Sequence, residues 1–149
     1  MSKYKITSPA IDLIKEFEGY RRDAYMCPSG KWTIGYGSTI YEDGSAVRSG
    51  DRINNCKAEY LLITHIENEV LPVLDKIEGL NQNHVNALCS FIFNIGNGAF
   101  KNSTMYKLLI NKDFLNAAAE FNKWNKSDGK PLLGLTNRRI AERKLFELK

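Results

Sequence analysis

The spacing of apolar residues changes twice along the chain, and these changes predict its elements. In the first segment apolar residues recur at helical spacing, and Glu18 lies seven positions after Ile11, so the two share one helix face. The pair Ser8-Pro9 predicts the helix start, because Ser caps helices and Pro tolerates the first turn. Gly19 predicts the end. We therefore expect Glu18 on the buried side of a helix that ends beside it.

Between residues 24 and about 50 the pattern becomes the two-residue alternation of β structure, with glycines at the turns. Trp32, Ile34 and Tyr36 are predicted to face one side of a strand. The other face holds only Thr33 and two glycines. A nearly bare strand face indicates close approach of a ligand or of another backbone.

From about residue 55 the pattern is helical again. A long amphipathic helix comes first, and Pro72 should kink it or end its regular part. Asn81 and Ser103 are predicted caps of two further helices, and a last helix is expected to start near Thr136. The order of helix, hairpin sheet, long connecting helix and helical lobe predicts an α+β fold.

Length and charge narrow the class of protein. The chain has 149 residues and fits one domain. Its net charge of +4 favours a polyanionic partner, such as a cell-wall polymer, a nucleic acid or an anionic membrane surface, and an ordinary lysine excess without such a partner is the alternative. No basic run with interleaved aromatics occurs, so we expect no nucleic-acid binding. The N-terminus carries no apolar run, so we expect neither a signal peptide nor stable membrane insertion.

The cysteines give no sign of a metal site. Cys27, Cys56 and Cys89 lie far apart, their number is odd, and no CxxC motif is present. Reduced thiols in a protein made in the cytoplasm are the simplest interpretation, and neither a metal nor a cofactor is expected.

Glu18, Cys27 and Thr33 are the residues that suggest chemistry. Cys27 opens a tight turn, Cys27-Pro28-Ser29-Gly30, and Thr33 follows just beyond it. A carboxyl at a helix end, opposite two small polar groups on a hairpin, can hold a water near a bond that must be protonated. Asp23 is a substitute carboxylate, but it lies in a segment predicted to be exposed.

Three blocks of sequence resemble the phage-type lysozymes, the endolysins of glycoside hydrolase family 24. The first runs from Phe17-Glu18-Gly19 to the Trp-Thr-Ile-Gly-Tyr-Gly run at 32–37. The second is 87–96 with the Ser-Thr pair at 103–104, and the third is 134–139 with Glu142. Two positions depart from the family pattern: Ser38 stands where many members have His, and Cys27 where many have Asp.

The resemblance implies a lysozyme-like fold in a single domain, residues 1–149. A small lobe with a β-hairpin sheet, about 20–55, would be joined by a long helix to a helical lobe, about 56–149, which also holds the N-terminal helix. The substrate would lie between the lobes.

The resemblance also implies roles for residues. Glu18 would be the general acid, with Arg138 as a nearby supporting cation, while Cys27 and Thr33 would hold the attacking water. Thr39, Phe93 and Ser103 would line the sugar groove. The residues alone leave alternatives open: a structural salt bridge for Glu18, an inert thiol for Cys27 and a mere strand former for Thr33. Phe93 could equally be core, and Ser103 a helix cap.

The implied activity is hydrolysis of the β-1,4 bond between N-acetylmuramic acid and N-acetylglucosamine in bacterial peptidoglycan. A monomeric endolysin is expected, held in the host cytoplasm until a holin opens the membrane. Two rivals remain: a lytic transglycosylase that needs only Glu18, and a non-catalytic peptidoglycan-binding module.

Overall fold

The computed structural model describes residues 2–148, and within them the predicted α+β order is present. Met1 and Lys149 belong to the predicted domain span of 1–149 but lie outside the described residues. Helix α1 is Ser8–Glu18. Thr7 rather than Ser8 is its N-cap residue, so the predicted side-chain cap by Ser8 is wrong, and no side chain takes that role. Gly19 ends the helix as predicted, with φ of 74°.

A two-stranded antiparallel hairpin follows α1 directly. Strand β1 is Arg21–Met26 and strand β2 is Trp32–Gly35, with Tyr25 opposite Thr33 in the register. Their connection is closed by two backbone hydrogen bonds at the Cys27 turn. Because these bonds fix a short loop, Cys27 and Thr33 lie near each other on the same hairpin.

At Gly35, the bare face predicted for β2 is explained by the close approach of a neighbouring helix. A Cβ added at Gly35 would lie 3.0 Å from the Cβ of Ala58, which belongs to helix α2, Asn55–His65. Gly35 has φ of 66°, so glycine satisfies both the backbone conformation and the close contact. The strand is thereby seated against the helix that connects the two lobes.

The connecting helix is irregular before Pro72. Helix α2 continues into a π-helical turn, Ile66–Val70, and then into helix α3, Leu71–Leu74. Pro72 has no N–H and its ring clashes with the carbonyl four residues earlier, so regular α-helical bonding cannot pass through this point. The predicted interruption is confirmed, although it takes the form of a widened turn rather than a sharp kink.

The helical lobe is built around one buried helix. Helix α4 is capped by Asn81 as predicted, α6 is capped by Ser103 as predicted, and α8 begins three residues before the predicted Thr136. The sequence pattern did not predict α5 or the short β3–β4 hairpin. The remaining bounds are α4 Gln82–Ile95, α5 Asn97–Lys101, α6 Thr104–Ile110, α7 Phe114–Glu120, a 3₁₀ turn Phe121–Lys123, β3 Lys126–Ser127, β4 Lys130–Pro131 and α8 Leu133–Glu147.

Phe91 of α4 lies at the centre of the core and is fully buried. Its ring meets those of Phe100, Phe121 and Trp124 edge to face at centroid distances of 6.3, 5.1 and 5.8 Å. Truncating an interior phenylalanine lowers the free energy of unfolding by about 3–5 kcal/mol. The packing of Phe91 therefore stabilises the contacts between α4 and the helices on either side of it. Within residues 2–148, no helix combines the length and apolar character needed to cross a bilayer.

Candidate active site

Glu18 is the last residue of α1, and its two carboxylate oxygens have different surroundings. Oε2 accepts a hydrogen bond from Nη1 of Arg138 at 2.6 Å. Oε1 lies on the side of Gly37, where an added Cβ would be 3.9 Å from it. The Glu18 side chain is 23% exposed, whereas that of Arg138 is 4% exposed. The carboxyl is therefore anchored from the protein interior and still reaches solvent.

A cavity of about 630 Å³ opens beside Glu18. Its walls come from the loop at 37–44, from positions between 61 and 70, and from positions between 92 and 97. Glu18, Glu42 and Glu69 contribute carboxylates, and among the described residues 2–148 no Lys or Arg lines the cavity. The excess positive charge of the chain thus lies away from this cavity.

Cys27 and Thr33 are brought together by the hairpin but are not among the residues that line the cavity. The Cys27 sulfur lies 3.0 Å from the Ser29 hydroxyl and accepts from the Ser29 backbone N–H at 3.4 Å. These Ser29 contacts lower the pKa of the Cys27 thiol, and Thr33 and Lys31 add to the effect. Thr33 is buried, and its hydroxyl donates to the Lys31 carbonyl at 3.1 Å, which leaves its lone pairs available to accept.

The three predicted groove residues fall in two classes. Thr39 and Phe93 line the cavity, and Phe93 is half-buried against the core. Ser103 is not among the lining residues. Its hydroxyl accepts from the Tyr106 N–H at 3.1 Å and donates to the Phe100 carbonyl at 2.6 Å, which is the bonding of a helix cap.

Behind Glu18, Arg138 belongs to a buried ionic cluster on α8. Its Nε donates to Oε2 of Glu142 at 3.2 Å, and its Nη2 donates to the Ser90 carbonyl at 3.1 Å. Nε of Arg139 lies 2.7 Å from Oε1 of Glu142, off the direction of a hydrogen bond, so this contact is a charge pair. Burial raises the pKa of the Glu142 carboxyl and lowers the pKa of the Arg139 guanidinium, and their mutual attraction opposes both shifts.

The sequence pattern missed several residues on the far wall of the cavity. His65 lines the cavity and meets the Phe93 ring edge to face at a centroid distance of 5.6 Å. Burial lowers the pKa of His65, and Glu69 opposes this shift. Asn97 donates to the Glu69 carbonyl at 2.8 Å, which ties α5 to the π turn. The one sequence signal for this wall was Pro72, because it predicts an irregular helix here and π turns in such helices are frequent at functional sites.

The three cysteines are free, with Cys27 half-buried, Cys56 exposed and Cys89 buried. Burial raises the pKa of Cys89 to about 12. In the part of the chain that the structure describes, no three His, Cys, Asp or Glu side chains gather as metal ligands would.

Comparison with known proteins gives consistent matches over nearly the whole chain. The family described as Phage lysozyme matches residues 15–142. The endolysin of Acyrthosiphon pisum secondary endosymbiont phage 1 is 42% identical over 147 residues, covering 95% of this chain and 97% of the relative.

Two solved structures have a similar fold. The structure of a P22 lysozyme mutant matches with a TM-score of 0.85 at 39% identity, over 95% of this chain and 97% of that one. The muramidase domain of SpmX from Asticaccaulis excentricus matches with a TM-score of 0.82 at 32% identity, over 99% and 100% of the two chains.

Proposed function

The chain belongs to the phage lysozyme family, and we propose that Glu18, Cys27 and Thr33 carry out its hydrolysis of a glycosidic bond. It is a lysozyme of the endolysin type, a glycoside hydrolase of bacterial peptidoglycan. The bond cleaved is the β-1,4 bond between N-acetylmuramic acid and N-acetylglucosamine. One observation supports the assignment of Glu18 most strongly: one of its oxygens is fixed by Arg138, while the residue lines the large cavity.

Glu18 is the general acid in this proposal. Hydrolysis of a glycosidic bond needs a proton on the leaving oxygen while charge develops at the sugar carbon. Arg138 holds Oε2 in place, so Oε1 is the oxygen that carries the proton toward the substrate. The fixed carboxyl orientation reduces the reorganisation needed at the moment of transfer.

Cys27 and Thr33 position the attacking water. The thiol accepts hydrogen bonds better as its thiolate fraction rises, and the contacts with Ser29 lower the pKa of Cys27. Thr33 can accept a second hydrogen bond from the same water, because its own proton is given to the Lys31 carbonyl. Attack from the side opposite the leaving group would invert the anomeric configuration.

Thr39 and Phe93 are the substrate contacts that the cavity supports. Thr39 offers a hydroxyl from the β lobe, and Phe93 offers a partly exposed ring from α4, where sugar rings can stack. The cap bonds of Ser103 favour the helix-cap alternative for that residue, so its contribution to substrate binding stays a prediction.

The decisive experiment compares Glu18→Gln with Glu16→Gln in peptidoglycan digestion. Glu16 is exposed on the same helix, so its substitution controls for changes in helix charge. We expect Glu18→Gln to lose at least 10²-fold in rate, the lower end for general acid catalysis, while Glu16→Gln keeps its activity. A folded Glu18→Gln protein with near-normal lysis would remove Glu18 as the acid.

Product analysis separates hydrolysis from transglycosylation. Mass spectrometry of the released muropeptides should show reducing N-acetylmuramic acid ends. If 1,6-anhydro ends appeared instead, the water-binding role of Cys27 and Thr33 would be rejected. Binding to cell walls with no release of fragments would support a non-catalytic module.

The proposal extends to how the protein reaches its substrate. It accumulates as a monomer in the host cytoplasm and passes to the wall after a holin opens the membrane. Expression alone should leave cells intact until chloroform is added, and lysis before that point would refute the holin requirement. Size-exclusion chromatography with light scattering should give the monomer mass, about 16.9 kDa.

A further inference from the structure

Glu142 is a completely buried carboxylate that never touches the cavity. Its side chain is 0% exposed, and it lies on α8 between the guanidinium groups of Arg138 and Arg139. Oε2 also accepts from the Ser90 hydroxyl at 2.5 Å. Two cations and a hydroxyl are all directed at one acid, and they oppose the effect of burial, which raises the pKa of the Glu142 carboxyl.

The cluster reaches the active site through one side chain. Arg138 contacts Glu142 with Nε and Glu18 with Nη1, so a single guanidinium joins the buried acid to the acid of the cavity. A buried ionic cluster is weak evidence for stability, since well-packed apolar residues often do as well. Its connection to Glu18 offers a functional reason for a carboxylate at this depth.

Charge accounting shows what Glu142 does for Glu18. With both acids ionised, the two carboxylates and the two guanidinium groups cancel. Without Glu142, Glu18 would face two uncompensated cations, and these would favour its ionised form. A general acid must hold its proton until substrate is bound, so the negative charge of Glu142 acts in favour of the reaction.

We propose that Glu142 is a positioning residue for the lysozyme reaction: from the interior it orients Arg138 and sets the pH range in which Glu18 keeps its proton. This proposal rests on the assignment of Glu18 as the general acid. Glu142 itself touches no substrate and is not a catalytic residue.

Other charged groups near Glu18 stay unchanged in the test. Across the cavity these are His65 of α2, Glu69 of the π turn and Glu42 of the β lobe. Glu42 is paired with Lys57, which reduces its effect. Because the variants below leave all of these in place, differences among them report on the buried cluster.

The experiment measures the pH dependence of kcat/KM on dye-labelled peptidoglycan for four variants: Glu142→Gln, Arg139→Gln, the double variant of these two, and Ser90→Ala. In this proposal, kcat/KM falls at high pH because Glu18 loses its proton, and this fall is the alkaline limb of the profile. Glu142→Gln removes a negative charge, so the alkaline limb should move to lower pH. Arg139→Gln removes a positive charge, so the limb should move to higher pH. The double variant removes both charges and should return the limb close to its original position.

Each single variant should shift the alkaline limb by about 1 pH unit. This is the effect expected when a unit charge is removed about one side-chain length from Glu18, at an effective dielectric constant of about 20. Ser90→Ala removes a hydrogen bond without changing charge and should leave the limb in place. A merely structural cluster would lower stability in the variants without opposite shifts. If Glu142→Gln fails to fold, the upward shift of Arg139→Gln and the return in the double variant decide the matter.

The outcomes separate this inference from the proposed function. Unmoved limbs in the folded variants, with Glu18→Gln inactive, would overturn the role of Glu142 and leave the reaction assignment standing. Full activity of Glu18→Gln would overturn both. Opposite shifts that cancel in the double variant would establish the buried charge as the control of the acid.

Discussion

The contact between Gly35 and Ala58 gives a sharp test of how the β lobe is held against the helix that connects the two lobes. In Gly35→Ala, the new methyl group would lie 3.0 Å from the Ala58 Cβ and 3.2 Å from the Ile53 Cδ1. The backbone at this position also has φ of 66°, which an L side chain rarely adopts. The substitution therefore combines a steric cost with a conformational one.

The two costs can be estimated separately. Placing a side chain in the left-handed region costs about 1–2 kcal/mol, and overpacking by one methyl group adds about 1–3 kcal/mol. We expect the free energy of unfolding to fall by about 2–5 kcal/mol in total. Gly30→Ala is the matched control, since φ is 88° there and no atom lies within 4 Å. It should lose only the conformational part, about 1–2 kcal/mol.

Urea denaturation of four proteins, the parent protein, Gly35→Ala, Ala58→Gly and the double variant, measures the steric part directly. Ala58→Gly removes the methyl group that is struck, so the double variant should be more stable than the sum of the single losses by about 1–2 kcal/mol. A Gly35→Ala loss no larger than that of Gly30→Ala, with an additive cycle, would refute the close packing of β2 on α2. Lysis should fall in parallel in Gly35→Ala, because Thr33 precedes this contact on the same strand.

Three further predictions concern single side chains. Cys27→Asp should keep or raise activity, because an ionised carboxylate accepts a water proton better than a thiol does. Cys27→Ala should lower activity. Full activity of Cys27→Ala in a turbidity assay would show that the thiol takes no part in the reaction. Ser103→Ala should lower the free energy of unfolding by about 1 kcal/mol through loss of the helix cap with KM unchanged, and a raised KM would instead support the predicted substrate contact. Burial raises the pKa of Cys89 to about 12, so the folded state keeps a thiol proton that the unfolded chain loses from about pH 8.5. The free energy of unfolding should therefore fall as the pH rises from about 8.5 toward 12, by up to about 1.4 kcal/mol per pH unit. Denaturation at several pH values should show a shallower slope for Cys89→Ala and an unchanged one for Cys56→Ala, in which an exposed thiol is lost; equal slopes for both variants would contradict this assignment.

The elements that the sequence predicted well have strong local signals. Gly19 ends its helix with positive φ, and Asn81 caps α4 through its own side chain. Such signals act over three or four residues and need no tertiary contact. The start of α8 was missed because its first turn has no capping side chain, so Thr136 appeared to be the first polar start signal.

The far wall of the cavity was not predictable in the same way. His65 and Glu69 are four positions apart, as any two neighbours on a helix face are, and their place on the cavity depends on the π turn before Pro72. The pair Arg138 and Glu18 is separated by 120 positions in the chain, and only the resemblance to phage-type lysozymes suggested that the two lie close together. That contact forms only when α1 and α8 both pack on α4, so its geometry is a product of the tertiary fold.

The position of Glu18 is compatible with both interpretations that its sequence context left open, a structural salt bridge and the proposed general acid. An ion pair and a proton donor make opposite demands on a carboxyl group, since a nearby cation favours the charged form. The structure divides these demands between two oxygens, with Oε2 bonded to Arg138 and Oε1 on the side of the cavity. In our proposal, the buried Glu142 weakens the pull of Arg138 on Glu18, because that guanidinium contacts both acids. A structural salt bridge and an acid that donates a proton are therefore compatible roles of one side chain.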